Sequence, residues 1–187
     1  MNTIQSVKSS VSIETKQPVV LAVEKDKVKG WEIVAELNQC LAHTIDLRSR
    51  TKQAYWSAKG GNFYTLHKMF NDFSADLDSV TDELAARVMA LGGTPVRTIS
   101  IVARTSKLPS YPTGIVQASE HLDALIASYE AASKHLPTAM RKAVHADDQS
   151  TASIITGLAK LLDDQVGVFT AHIPAEWMNS SKRQSIS

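Results

Sequence analysis

A single cysteine, Cys40, stands in 187 residues. One thiol can form neither an internal disulfide nor a cysteine-based zinc site, which fits a reducing compartment such as the cytoplasm. Its neighbours Leu37, Leu41 and Ile45 follow helical spacing, so the thiol is expected to be a small buried group. No run of about 18 apolar residues exists, which excludes a transmembrane helix. The opening MNTIQSVKSSVSIETKQPVV has no arginine and no continuous apolar core, so neither a secretory signal nor a transit peptide is read there. Stretches of strict polar-apolar alternation are missing, and with them any expectation of a sheet. Net charge is only +1, so the body is not a polycation. Nucleic acid would have to be met by local basic segments or by many copies acting together.

What is present is helical periodicity. Leu66, Met69, Phe70, Phe73, Leu77, Val80, Leu84 and Val88 keep a 3.6-residue period between a Lys59-Gly60-Gly61-Asn62 break and a Gly92-Gly93 stop. Before the break, a helix is expected from about Lys27 to Ala58, antiparallel to the one after it because the link is short. A proline-bearing connection from Gly92 to Gly114 is long enough to cross a bundle, and Thr98 to Arg104 can form a short helix inside it. A third helix is expected from Ile115 to Val144, bent or broken at Pro137. A fourth, capped from Asp147-Asp148-Gln149-Ser150, should run to about Ala171. Short link, long crossover and short link define an all-α, ferritin-like four-helix bundle with up-down-down-up topology. Residues 1–26 are read as a flexible N-terminal tail, 27–173 as the bundle and 174–187 as a C-terminal tail.

The chemistry-bearing feature is a polar stripe on the second helix. At about 100° per residue, Asn71, Asp78 and Asp82 lie roughly 40°, 20° and 60° round from His67. A histidine and carboxylates on one stripe of a bundle helix suggest a metal site. Asp78 reads either as a supplementary ligand or as a hydrated, salt-bridged surface acid. His43 reads as a hydrogen-bonded histidine, His121, His135 and His145 form no ligand pair by spacing, and His172 stands alone.

At Lys52-Gln53-Ala54-x-Trp56, Gly60-x-Asn62-Phe63, His67, Asp82, Ala86-Arg87, Leu91-Gly92-Gly93 and Leu108-Pro109-Ser110-Tyr111-Pro112, the chain resembles the Dps family, the small ferritins that protect DNA in starved bacteria. The resemblance covers roughly residues 28 to 172. It implies a hollow homododecamer, a crossover helix packed between subunits, a cytoplasmic, nucleoid-associated location, and iron storage under oxidative stress. It also implies a di-iron ferroxidase site at a two-fold interface, with groups from both partners. Carried over position by position, the family's His, His, Asp, Asp and Glu slots hold Tyr55, His67, Asn71, Asp82 and Ala86. Only His67 and Asp82 match; they are the metal-ligand candidates, with Asp78 as a third. Iron(II) oxidation needs imidazole and hard carboxylate oxygens, so an impaired or atypical iron site is expected, with zinc as an alternative occupant.

Trp56, beside the altered slot, reads as a packing residue or a radical trap. Asp147 and Asp148 stand where relatives line three-fold pores, or else they cap the fourth helix. Lys8 and Lys16 are the candidate DNA contacts of the N-terminal tail. The alternative to an iron-handling cage is a non-catalytic shell that acts by DNA binding or by co-assembly with an active relative.

Overall fold

The computed structural model describes residues 19–60, 63–96 and 98–173, with side chains from Gly30 onward and Phe63 excepted. The expected tails at 1–18 and 174–187, with Lys8 and Lys16, lie outside the described residues. Helix α1 spans Val19–Ser57 and α2 Phe63–Ala90; α3, Ile99–Thr105, sits in the crossover; α4 spans Ala118–Ser133, α5 Leu136–His145 and α6 Gln149–Ala171. Among the described residues there is no strand, only one isolated bridge between Lys59 and Gln117. No described helix is long and apolar enough to cross a membrane.

Cross-helix contacts fix the directions. Thr51 meets Tyr129 and Glu36 meets Lys142, so α1 runs antiparallel to α4 and α5. Asp76 meets Gln165 and Arg87 meets Asp148, so α2 runs antiparallel to α6. The Lys59–Gln117 bridge places the starts of α2 and α4 at the same end, which completes the up-down-down-up order. The expected third helix is divided where proline required it: α5 begins at Leu136 with Pro137 in its first turn. α1 starts eight residues before the expected Lys27, because Val19 to Asp26 contains nothing that opposes a helix after Pro18.

The core is apolar and continuous. Leu37, Leu41 and Leu47 of α1 meet Phe70, Leu77 and Leu84 of α2, Leu125 and Tyr129 of α4, and Leu162 and Phe169 of α6. Phe169 is the aromatic hub, 5.2 Å from both Tyr129 and Phe73 and 6.1 Å from Phe70 by ring centroid. Tyr129 is fully buried, yet its hydroxyl meets Thr51 Oγ1 at 2.9 Å, so its polar end is satisfied. Cys40 is buried as expected, and burial pushes its thiol up to about 12, so it is an inert packing group.

A second row of α1, at Gln39, His43, Asp46 and Arg50, is polar and faces the crossover. Gln39 Nε2 donates to Thr105 O at 2.8 Å, Ser106 Oγ donates to Asp46 Oδ2 at 2.6 Å, and Arg50 Nη1 donates to Pro109 O at 2.6 Å. These bonds tie the crossover to α1 through the carbonyls of Thr105 and Pro109 and the Ser106 hydroxyl. α3 itself buries only Val102; Ile99 is 84% exposed and Ile101 39% exposed, so its apolar side faces outward.

The stop of α2 is a Schellman turn. Gly92 N donates to Met89 O and Gly93 N to Val88 O, both at 2.9 Å, with Gly92 at φ +77°. Gly93 is confined for another reason: a Cβ there would lie 2.5 Å from Val34 Cγ1. Gly93→Ala is therefore expected to destabilise by about 1–3 kcal/mol through overpacking, and Gly92→Ala by about 1 kcal/mol through backbone strain. Urea denaturation midpoints at unchanged m-value measure both.

Candidate metal stripe on α1 and α2

Antiparallel packing puts three pairs of side chains in register along the outer face of α1 and α2. At one end the Tyr55 ring stacks on the His67 ring, centroids 3.8 Å apart and planes 27° from parallel. In the middle Lys52 Nζ donates to Asn71 Oδ1 at 2.8 Å and lies 4.5 Å from the Tyr55 ring centroid. Further along, Arg48 makes an ion pair with Asp78, both side chains about half exposed. Arg48, Lys52 and Tyr55 are spaced i, i+4, i+7, which is why one row of α1 meets one row of α2.

The charge pattern follows from these contacts. Asn71 offers a neutral amide oxygen, and a lysine ammonium already occupies it. The Tyr55 ring face holds the same ammonium by cation–π attraction. Asp78 makes a salt bridge with Arg48, the contact expected of the surface-acid reading. An exposed pair of this kind contributes at most about 1 kcal/mol, so it biases charge more than it stabilises. Ala86 is exposed and brings no ligand atom.

His67 and Asp82 do not converge within one chain. They are 15 residues apart on one helix, about 22 Å along the axis, and Asp78 is about 16 Å from His67. Among the described residues no group of three or more His, Cys, Asp or Glu side chains surrounds a common point. Any ion shared by His67 and Asp82 would have to lie between two chains.

Trp56 is not a core residue of its own chain: it is 70% exposed on the outer side of α1, next to the stripe, and Tyr64 nearby is 81% exposed. Lys52 enters the sequence reading only as part of the Lys52-Gln53-Ala54-x-Trp56 motif and Arg48 not at all, although their spacing with Tyr55 is readable. The contact between His43 and His135, ring centroids 5.5 Å apart, joins residues too distant in the chain for spacing to reveal.

Asp148 is the N-cap of α6. It accepts from Thr151 N at 2.9 Å and Thr151 Oγ1 at 2.6 Å, and Arg87 Nη2 donates to it at 2.6 Å. Asp147, at φ +55° in the preceding turn, is the exposed acid of the two. Burial raises the Asp148 pKa, but the hydrogen bonds from Arg87 and Thr151 outweigh it and hold the carboxyl below its ordinary value.

Comparison with known proteins places this architecture. Residues 34–173 match the ferritin-like domain family, so the fold and its stripe define a ferritin-like helical protein. The DNA protection during starvation protein of Agrobacterium fabrum is 38% identical over 141 residues, 75% of this chain and 87% of that relative. The Bacillus anthracis protein of the same name, number 2, is 26% identical and is covered over 97% of its length. The crystal structure of Dps from Staphylococcus aureus superposes with a TM-score of 0.73 at 27% identity, over 77% of this chain and 96% of that one. Dps from Thermosynechococcus elongatus shares the fold with a TM-score of 0.75 at 19% identity, over 80% and 95% respectively. The chain belongs to the Dps family of ferritin-like proteins.

The cap assignment carries a measurable consequence. Asp148→Ala is expected to cost about 1–2 kcal/mol, whereas Asp147→Gly should be neutral or stabilising because of the positive φ. Because the folded carboxyl titrates below its unfolded value, its contribution is complete above about pH 4 and lost as pH falls through the folded value. Thermal denaturation between pH 2 and 7 should therefore show the gap between wild type and Asp148→Ala closing at the acid end.

Proposed function

We propose that this protein forms a Dps-type cage that stores iron and protects DNA under oxidative stress, with weak iron-oxidising capacity at the stripe between His67 and Asp82. Family membership supports the cage, its dodecameric assembly and the storage role. The observation that carries the weak-oxidation reading is the Lys52 ammonium bonded to Asn71 at 2.8 Å, beneath the Tyr55–His67 stack.

The residues present fit iron poorly as a substrate. Two chains meeting through α2 in opposite directions would bring His67 of one towards Asp82 of the other. That half-site supplies one imidazole and one carboxylate, where oxidation to iron(III) needs several hard anionic oxygens. Tyr55 coordinates strongly only as phenolate, and its ring face is engaged with Lys52 and His67. Two like unit charges about 5 Å apart repel by about 0.8 kcal/mol in water and about 3 kcal/mol at an effective dielectric of 20; a divalent ion doubles this. Lys52 thus opposes iron at Asn71, the slot where the family resemblance implies a carboxylate. Storage then depends on interior carboxylates or on iron oxidised elsewhere.

Anaerobic iron(II) loading followed by oxygen or peroxide, read by iron(III) absorbance, tests this. Wild type is expected to oxidise iron slowly and without saturation near twelve equivalents; rapid saturable oxidation at that stoichiometry overturns the reading. The variant Tyr55→His/Asn71→Asp/Ala86→Glu is expected to raise the initial rate by about tenfold or more, since it restores an imidazole and two carboxylates. A gel shift at two salt concentrations tests the DNA role, which predicts retardation at low salt that fades as salt rises.

A further inference from the structure

His43 sits at the middle of the row by which α1 holds the crossover. It is 5% exposed, and its Nε2 faces two donors: Gln39 Nε2 at 2.9 Å and the Lys107 backbone N–H at 3.3 Å. The orientation of Gln39 is decided by its other contact, because the same amide nitrogen must donate to Thr105 O at 2.8 Å. Lys107 N–H is backbone and has no alternative role. Both neighbours are therefore donors, and His43 Nε2 must be the acceptor, with its single proton on Nδ1. A second proton could only go to Nε2, where it would point at two N–H groups. That breaks both bonds to His43 and drives Gln39 away from Thr105.

The charges around the ring act in the same sense. His135, from the turn between α4 and α5, lies 5.5 Å away edge-on, and its Nε2 is 2.8 Å from Glu36 Oε2 as an ion-pair contact. Lys142 of α5 donates to the other Glu36 oxygen at 2.6 Å. From the crossover comes Lys107, and from α1 itself Arg50, with Asp46 as the opposing acid. Burial first, then the charge of His135, pushes the His43 imidazole down to about 4. At neutral pH the acceptor is intact.

We propose that the crossover from Thr98 to Tyr111 is an acid-released strap and that His43 is its latch. The other tethers would not let go first. Asn38, whose amide carries no titratable group, holds Thr94 O and Val96 N, and Arg50 Nη1 donates to Pro109 O without involving His43. When His43 takes up a proton, Lys107 and Thr105 lose their anchors at the C-terminal end of α3, whose own buried contact is Val102 alone. The outward apolar surface of α3, with Ile99 and Ile101, then loses its fixed position. Any contact that depends on this surface weakens in acid. The sign follows from the depressed pKa: the strap is fully held above the unfolded histidine value near 6.5 and is progressively lost as pH falls towards 4.

Hydrogen exchange of the full-length assembled protein, corrected for intrinsic pH dependence, reads the strap directly through peptides covering residues 98–110. Wild type is expected to lose protection there between pH 6 and 4 while peptides of α2 and α6 stay protected. His43→Gln, which places an amide oxygen near the Nε2 position but does not titrate, should keep the strap protected to lower pH. Equal loss in wild type and His43→Gln overturns the latch. His135→Gln supplies an independent direction: removing the neighbouring positive charge should move the release upward by roughly half to one pH unit. A downward shift, or no acid release in wild type at pH 4, contradicts the proposal.

Discussion

The antiparallel contact of α1 with α2 is the constraint on which the rest depends. Its register sets Arg48 against Asp78, Lys52 against Asn71 and Tyr55 against His67. On the inner side, the same register seats Leu37, Leu41 and Leu47 against the apolar row of α2. A shift of one turn, about 5.4 Å, would separate every one of these pairs and unseat the core at the same time. The polar stripe therefore cannot rearrange independently of the bundle. Whatever charge it carries is held in place by hydrophobic packing on the other side of the two helices.

α1 is unusual in having all its faces used. One row is the core, a second is the polar row that carries the crossover, and a third presents cations to the stripe of α2. The second row matters because a long crossover brings many backbone groups over the surface of one helix. Gln39, His43 and Arg50 bond crossover backbone groups, and Asp46 bonds the Ser106 hydroxyl, all within four turns. The third row turns what would be an acidic metal stripe into one already neutralised by the protein. That row places Lys52 on Asn71 and Arg48 on Asp78.

Much of this was legible before any coordinates. The 3.6-residue period from Leu66 to Val88, the Gly92-Gly93 stop, the proline break at Pro137 and the Asp148 cap each correspond to a local physical signal, and each lies where it was expected. The identities of Tyr55, Asn71 and Ala86 at the slots the family resemblance implies are read directly from the sequence, while the loss of ligands there belongs to the proposal. The partners of those slots were harder. Arg48 and Lys52 are ordinary surface cations by composition, and only the packing register reveals that they reach the stripe. The meeting of His43 with His135 depends on how the α4–α5 break folds back on α1, which no spacing encodes. Trp56 was open to a packing reading because size and hydrophobicity favour burial; its place on the outer row of α1 leaves it exposed.

Diffraction can test at atomic detail the proposal that the stripe takes up iron only weakly. Crystals of the assembled protein soaked anaerobically in iron(II) and measured at the iron absorption edge should show at most a weak, partly occupied anomalous peak between His67 and Asp82 of the neighbouring chain. Lys52 should remain on Asn71. A strong peak there at high occupancy, with the Lys52 side chain displaced from Asn71, would contradict the account.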